Sequence, residues 1–204
     1  MAEATFAASS TASSTASSTT ARAASRPLPQ VSPAKFAHIV FRSNQLPKMV
    51  EWYAAVLQAE VIHGDEKIAF LSYDDEHHRV AIVAMDKYVE KPQGFAVGFY
   101  HAAFTYRNVG ELLGTYVRLK AKGIVPYRTI NHGPTLSFYY DDPDLNNIEL
   151  QVDAFATLEA CADFMRGPLF GANPIGIPVD PEDLLARYEA GASDAELVKR
   201  ADRS

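Results

Sequence analysis

Two stretches decide the fold: HIVFRSNQLPKMVEWYAAVLQAEVI (His38–Ile62) and HAAFTYRNVGELLGTYVRLKAKGIV (His101–Val125). At one constant offset His38 falls on His101, Phe41 on Phe104, Tyr53 on Tyr116 and Val61 on Ile124. Downstream, LSYDD (Leu71–Asp75) falls on FYYDD (Phe138–Asp142), and VAIVA (Val80–Ala84) on IELQV (Ile148–Val152), with a few residues inserted in loops. Such self-similarity marks a repeated supersecondary unit. Each copy reads as a strand beginning at His, then a helix, then three short strands. Pro47 sits near the start of one helix and Gly123 just past the end of the other. The DD pair marks the turn between the last two strands. The unit is βαβββ.

The predicted organisation is a disordered Ala/Ser/Thr-rich tail over 1–33, a first module over 34–95, a second over 96–155 and a helical C-terminal extension over 156–204. The fold class is α+β: two paired βαβββ modules forming a cup-shaped mixed sheet around a metal site. A pseudo-twofold between the copies would put His38 and His101 in equivalent places, both imidazoles facing one cavity.

Composition narrows the function classes. The chain has 204 residues, 48% of them hydrophobic and 22% charged, which suits one ordinary domain or two small modules sharing a core. A net charge of −6 without a basic run argues against a nucleic-acid partner. Cys161 is the single cysteine, so no intrachain disulfide forms and a thiolate zinc site is excluded. A reducing, cytoplasmic compartment is the simple reading. No apolar run reaches the roughly 18–20 residues of a membrane span. The first 33 residues lack the large apolar side chains that would offset their ordering entropy. Their Ser content with Arg22 and Arg26 admits mitochondrial import, which Glu3 and the scarcity of Arg oppose.

The stretch LSFYYDDPDLNNIEL (Leu136–Leu150) puts Glu149 between Ile148 and Leu150. A buried carboxylate is costly unless a cation compensates it. Two imidazoles at symmetric repeat positions, His38 and His101, together with Glu149 make a two-His, one-carboxylate facial set. That set leaves coordination positions open and suits non-haem Fe(II) activating O2. Ala81 occupies the place of Glu149 in the first copy, so a site with two ligands from each copy is not available.

The second copy resembles the signature of extradiol ring-cleavage dioxygenases within the vicinal oxygen chelate superfamily, which also includes glyoxalases and bleomycin-resistance proteins. The matching residues are His132, GPTLS, Phe138, Tyr139, YD, Asp142, Pro143, DLNNI and Glu149. Leu145 stands where the family has Gly or Pro, and the left-handed turn position is expected to pass to Asn146 or Asn147. HHRVAIV (His77–Val83) resembles the family segment that carries an acid–base histidine, which falls on His78. The tail FGANPIGIPVDPEDLLARYEAG resembles that of a small group of two-module biphenyl-diol dioxygenases. Read from its residues, it has Asp180 as a helix N-cap before Pro181, then a capping box from Ser193 to Glu196. Such a tail would pack on the sheets or on another subunit.

The resemblance implies catechol-type ring cleavage with O2. Its metal ligands would be His38, His101 and Glu149, and its catalytic residues His78, His132 and Tyr139, unless Tyr140 took the place of Tyr139 by a one-residue slip. The implied cofactor is Fe(II), with Mn(II) or another divalent metal as substitute. The partners are a small aromatic diol and O2, with no nucleic acid and no membrane; a homo-oligomer is permitted but not required. Phe70, Phe95, Phe99 and Phe138 would line a flat pocket or fill the core. Two other readings stay open: a glyoxalase-like lyase or isomerase using a divalent metal without O2, and a metal-free protein binding a planar aromatic compound. Ala81, His132 and Tyr139 argue against the first, and the complete ligand set against the second.

Overall fold

A computed structural model describes residues 31–85, 88–89 and 97–201. Most of the Ala/Ser/Thr-rich stretch, Phe95 and the last three residues lie outside the described residues. The chain divides into two units, Met1–Phe36 and Ala37–Ser204. In the first, residues 31–36 are exposed and form neither helix nor strand.

The second unit holds the repeat. Strand β1 (Ile39–Ser43), helix α1 (Leu46–Leu57) and strands β2 (Glu60–Gly64), β3 (Ile68–Ser72) and β4 (Val80–Ala84) make one copy. Strand β5 (His101–Tyr106), helix α2 (Val109–Lys120) and strands β6 (Arg128–Asn131), β7 (Thr135–Asp141) and β8 (Asn147–Asp153) make the other. The extension adds α3 (Leu158–Arg166), α4 (Pro168–Ala172), a short β9 (Ile177–Pro178), α5 (Pro181–Glu189) and α6 (Asp194–Leu197). The strands form two mixed sheets, ordered β1-β4-β3-β2 and β5-β8-β7-β6-β9. The first strand of each copy runs parallel to the last, and the other pairs are antiparallel. The βαβββ repeat is therefore real, and the tail contributes a strand to the second sheet that the sequence did not announce.

Strand register fixes the equivalences. Val40 pairs with Ala81 as Ala103 pairs with Glu149. Phe70 lies opposite Ala81 as Tyr139 lies opposite Glu149. The repeat thus puts Phe70, not Ser72, on Tyr139. The aligned DD pairs misled by two residues, because Asp74 and Asp75 lie in the loop after β3 whereas Asp141 ends β7.

Helical spacing buries Leu46, Met49, Trp52, Tyr53 and Val56 on α1, and Val109, Leu112, Leu113, Tyr116 and Leu119 on α2. Asn108 caps α2 by accepting from the Glu111 amide at 2.8 Å. One apolar cluster takes in both helices, one face of each sheet (Leu71, Val80 and Ile82; Phe138, Tyr140, Ile148 and Leu150) and Leu184, Leu197 and Val198 of the extension. Phe138 and Tyr140 are fully buried there, Phe138 against the Tyr116 ring, so Phe138 is core and no pocket wall.

The DD turn ties the copies together. Asp142 Oδ1 accepts from the Asp144 and Asn146 amides, and its Oδ2 from Asn146 Nδ2 and, at 2.9 Å, from the hydroxyl of Tyr53 on α1. The Leu145 amide donates to the Asp142 carbonyl, and Leu145 itself takes the left-handed conformation at φ 60°. The expectation for Asn146 or Asn147 is corrected: the turn closes one residue earlier, and Asp142 holds the Asn146 amide beyond it.

Candidate functional site

Directly opposed residues share a face of a sheet. Across the second sheet that rule makes a line of Ala103, Glu149, Tyr139 and Arg128. The opposite face of β8 carries the core residues Ile148, Leu150 and Val152, so alternation alone turns Glu149 away from the core. β8 lies between β5 and β7, and Glu149 is 5% exposed, which discards a surface carboxylate on an edge strand.

Four expected residues meet here. Glu149 Oε2 lies 2.9 Å from His101 Nε2, and its Oε1 accepts from the Tyr139 hydroxyl at 2.8 Å. His132 Nε2 is 2.7 Å from the same hydroxyl. Tyr139 thus occupies the site, while Tyr140 points into the core, its buried hydroxyl without a hydrogen-bond partner among the described residues. Burial, then the neighbouring Glu149 carboxylate, pushes the Tyr139 phenol well above its ordinary range, so it stays a donor. Burial likewise pulls the His132 imidazole below its ordinary value.

The other two expected residues lie together at the first copy. His38, just before β1, has its ring 4.3 Å from that of His78 and 6.1 Å from that of His77. The ligand atoms of His38, His77 and His78 all lie within 4.8 Å of one another, whereas His38, His101 and Glu149 form no such trio among the described residues. His78 also meets the Phe70 ring edge-on at 4.9 Å, and burial lowers its pKa, with His38 and His77 adding to the fall. Phe99 is exposed and lines a cleft of about 930 Å³ along β1.

Part of this set fits a divalent metal: His101 and Glu149 lie as neighbouring ligands would, while His38 would have to close on them. His38 and His101 each stand two residues before the equivalent positions Val40 and Ala103; His101 turns its Nε2 to Glu149, and the buried His38 Nδ1 has no hydrogen-bond partner among the described residues. The 2.9 Å between His101 and Glu149 is close to the ~3 Å edge of an octahedron with ~2.1 Å bonds. The first copy supplies no carboxylate at the matching place, because Ala81 is there.

Sequence reading missed two cations. The Arg128 guanidinium lies 4.6 Å from the Tyr139 ring centroid, and its buried Nε has no hydrogen-bond partner among the described residues. Alternation from His132 back along β6 would have placed it on this face. Arg200, wholly buried, donates to the His132 carbonyl at 3.0 Å. Nothing in the local sequence LVKRADRS marks it.

The chain belongs to the Glyoxalase/Bleomycin resistance protein/Dioxygenase superfamily, whose family model matches residues 35–150. It is 42% identical over 167 residues to biphenyl-2,3-diol 1,2-dioxygenase 2 of Rhodococcus globerulus, covering 82% of this chain and 88% of that one. It is 41% identical over 174 residues to biphenyl-2,3-diol 1,2-dioxygenase 3 of the same organism, with the same coverage. In fold it is similar to a glyoxylase/bleomycin resistance protein/dioxygenase domain from Frankia sp. EAN1pec, with a TM-score of 0.52 at 16% identity over 62% of this chain and 96% of that one. No helix among the described residues is long and apolar enough to cross a membrane.

Proposed function

We propose that this chain, an extradiol dioxygenase of the superfamily, opens a catechol-type ring beside its two hydroxyls with O2, at an iron held by His38, His101 and Glu149. One observation carries the site: Glu149 is buried between His101 and Tyr139 at hydrogen-bonding distances, in a chain 42% identical to a biphenyl-2,3-diol 1,2-dioxygenase. When bound, a ferrous ion there supplies Lewis acidity toward the diol and the one-electron chemistry that triplet O2 requires.

The protein's own groups do the rest. His78, its pKa lowered first by burial and then by the neighbouring His38 and His77, takes a proton from a substrate hydroxyl and later returns one. Tyr139 stays protonated and offers its hydroxyl hydrogen to an oxygen of the substrate or to Glu149 Oε1. His132, its Nε2 on the Tyr139 hydroxyl, donates to that oxygen and holds its hydrogen toward Glu149 or the substrate. Arg128 brings positive charge to the same face, favouring the ionised diol and the carboxylate formed on ring opening.

Anaerobic purification with iron quantitation, then 2,3-dihydroxybiphenyl or catechol added in air, tests the reaction. A yellow ring-opened product with about equimolar O2 uptake is expected. Bound iron with no O2 uptake on either diol would discard the catechol reading.

A second ligand set has its own observation, the proximity of His38, His77 and His78. It would seat a metal on three imidazoles without Glu149. His77 is well exposed, and in the first set Glu149 gains the compensation its burial calls for, so the first set is preferred.

A further inference from the structure

We infer that the C-terminal extension is a clamp on the His132 loop, and that Arg200 is a positioning residue for the reaction. The inference rests on the dioxygenase reading above for its catalytic consequence.

Three consecutive residues of the loop are held by the extension. Asn131, 1% exposed, donates its Nδ2 to the Val198 carbonyl at 2.8 Å and accepts from the Gly133 amide at 2.9 Å through Oδ1. The His132 carbonyl accepts from Arg200 Nη1 at 3.0 Å, and the same guanidinium reaches the Asn173 carbonyl at 2.9 Å and that of Leu169 at 3.2 Å. Gly133, at φ 99°, lies against the Phe164 ring so closely that a Cβ would fall 2.5 Å from it. Arg200 borders the same contact, its guanidinium 5.6 Å from the Phe164 ring centroid and its Nη1 3.4 Å from where a Gly133 Cβ would be. Gly176 presses on the backbone of Asn131 and His132, where a Cβ would be 2.2 Å from the Asn131 carbonyl oxygen. β9 then pairs Ile177 with Asn131.

A guanidinium has five donors in a rigid fork, so one buried Arg can fix three carbonyls that diverge from different segments. Burying that charge is costly, and apolar residues would have packed the tail at less cost. What the fork adds is direction: it sets the peptide plane after His132, and with it the approach of the imidazole to the Tyr139 hydroxyl. A misplacement of a catalytic group by about 1 Å costs on the order of 10²-fold in rate. The corresponding turn of the first copy is held locally, with Asp65 accepting from the Lys67 and Ile68 amides, and among the described residues it receives none of these contacts.

The test uses the full-length iron-loaded protein with Arg200→Lys, Arg200→Met and Phe164→Ala. The last leaves the buried charge in place and loosens the contact on Gly133. For 2,3-dihydroxybiphenyl, Arg200→Met and Phe164→Ala should lower kcat by roughly 10-fold or more with KM and iron content within about twofold. Arg200→Lys should recover part of that loss. Independently of turnover, the His132 imidazole resonances of the metal-free protein, assigned with His132→Gln, should shift or broaden in Arg200→Met and Phe164→Ala. Variants that keep wild-type kcat and unmoved His132 resonances would overturn the clamp. So would a loss of kcat that merely tracks lost iron or lost folded protein. Failure of the wild type to open the diol would count against the dioxygenase reading, and the resonances would still decide the clamp.

Discussion

Across the first sheet one line of opposed residues reads Val40, Ala81, Phe70 and His63; across the second the equivalent line reads Ala103, Glu149, Tyr139 and Arg128. Register and topology are shared, and the chemistry is not. Only the histidine two residues before the line's first member, His38 or His101, is common to both. The first copy therefore offers an imidazole and an aromatic ring, with His78 beside them, and the second a carboxylate, a phenol, an imidazole and a cation. The repeat shares its scaffold evenly between the copies, while the buried carboxylate and the phenol and imidazole bonded around it lie on the second alone.

The helices repeat the contrast. Tyr53 on α1 donates across the copies to Asp142, whereas its counterpart Tyr116 on α2 donates to Glu182 of the extension. The extension thus gives Tyr116 the kind of carboxylate partner that the second copy gives Tyr53.

Substitutions matched between the copies are the way to break this picture. The largest effect is expected at His132, which has no histidine counterpart in the first copy: His132→Gln should lower kcat by about 10²–10⁴-fold, while His63→Gln, at the register position of Arg128 on the exposed β2, should change it by less than about twofold. Steady-state O2 uptake reads both. Tyr139→Phe should cost roughly 10–100-fold, since it removes the hydrogen-bonding partner of Glu149 and His132. An unchanged rate would remove the phenol from the mechanism.

On stability, Tyr53→Phe should cost about 1–3 kcal/mol, because it takes a donor from the buried Asp142 carboxylate. Tyr116→Phe, facing the exposed Glu182, should cost clearly less. Urea unfolding of the two variants measures the gap, and equal losses would deny that the Tyr53 link is special. The smallest effect is at the turn. Leu145→Gly should stabilise by up to about 1 kcal/mol, relief of left-handed strain exceeding the added chain entropy.

Much of this was legible in the sequence, for identifiable reasons. The repeat was visible because equivalent strands and helices keep equivalent apolar spacings. Glu149, Tyr139 and His132 were visible because they lie within one run of three consecutive antiparallel strands, where spacing along the chain nearly fixes spacing in space. Leu145 was misread because a side chain with no preference for left-handed backbone was carried there by the Asp142 turn. The trio of His38 with His77 and His78 and the reach of Arg200 were not legible. Both depend on where a loop or a tail docks, and no local periodicity encodes that.

The most direct test of the central claim is metal retention after anaerobic iron loading and desalting, compared among the wild type, Glu149→Ala and His77→Ala. The expected result is about one iron per chain for the wild type and for His77→Ala, and almost none for a folded Glu149→Ala. Iron retained by Glu149→Ala and lost by His77→Ala would contradict the account and move the metal to the three imidazoles of the first copy.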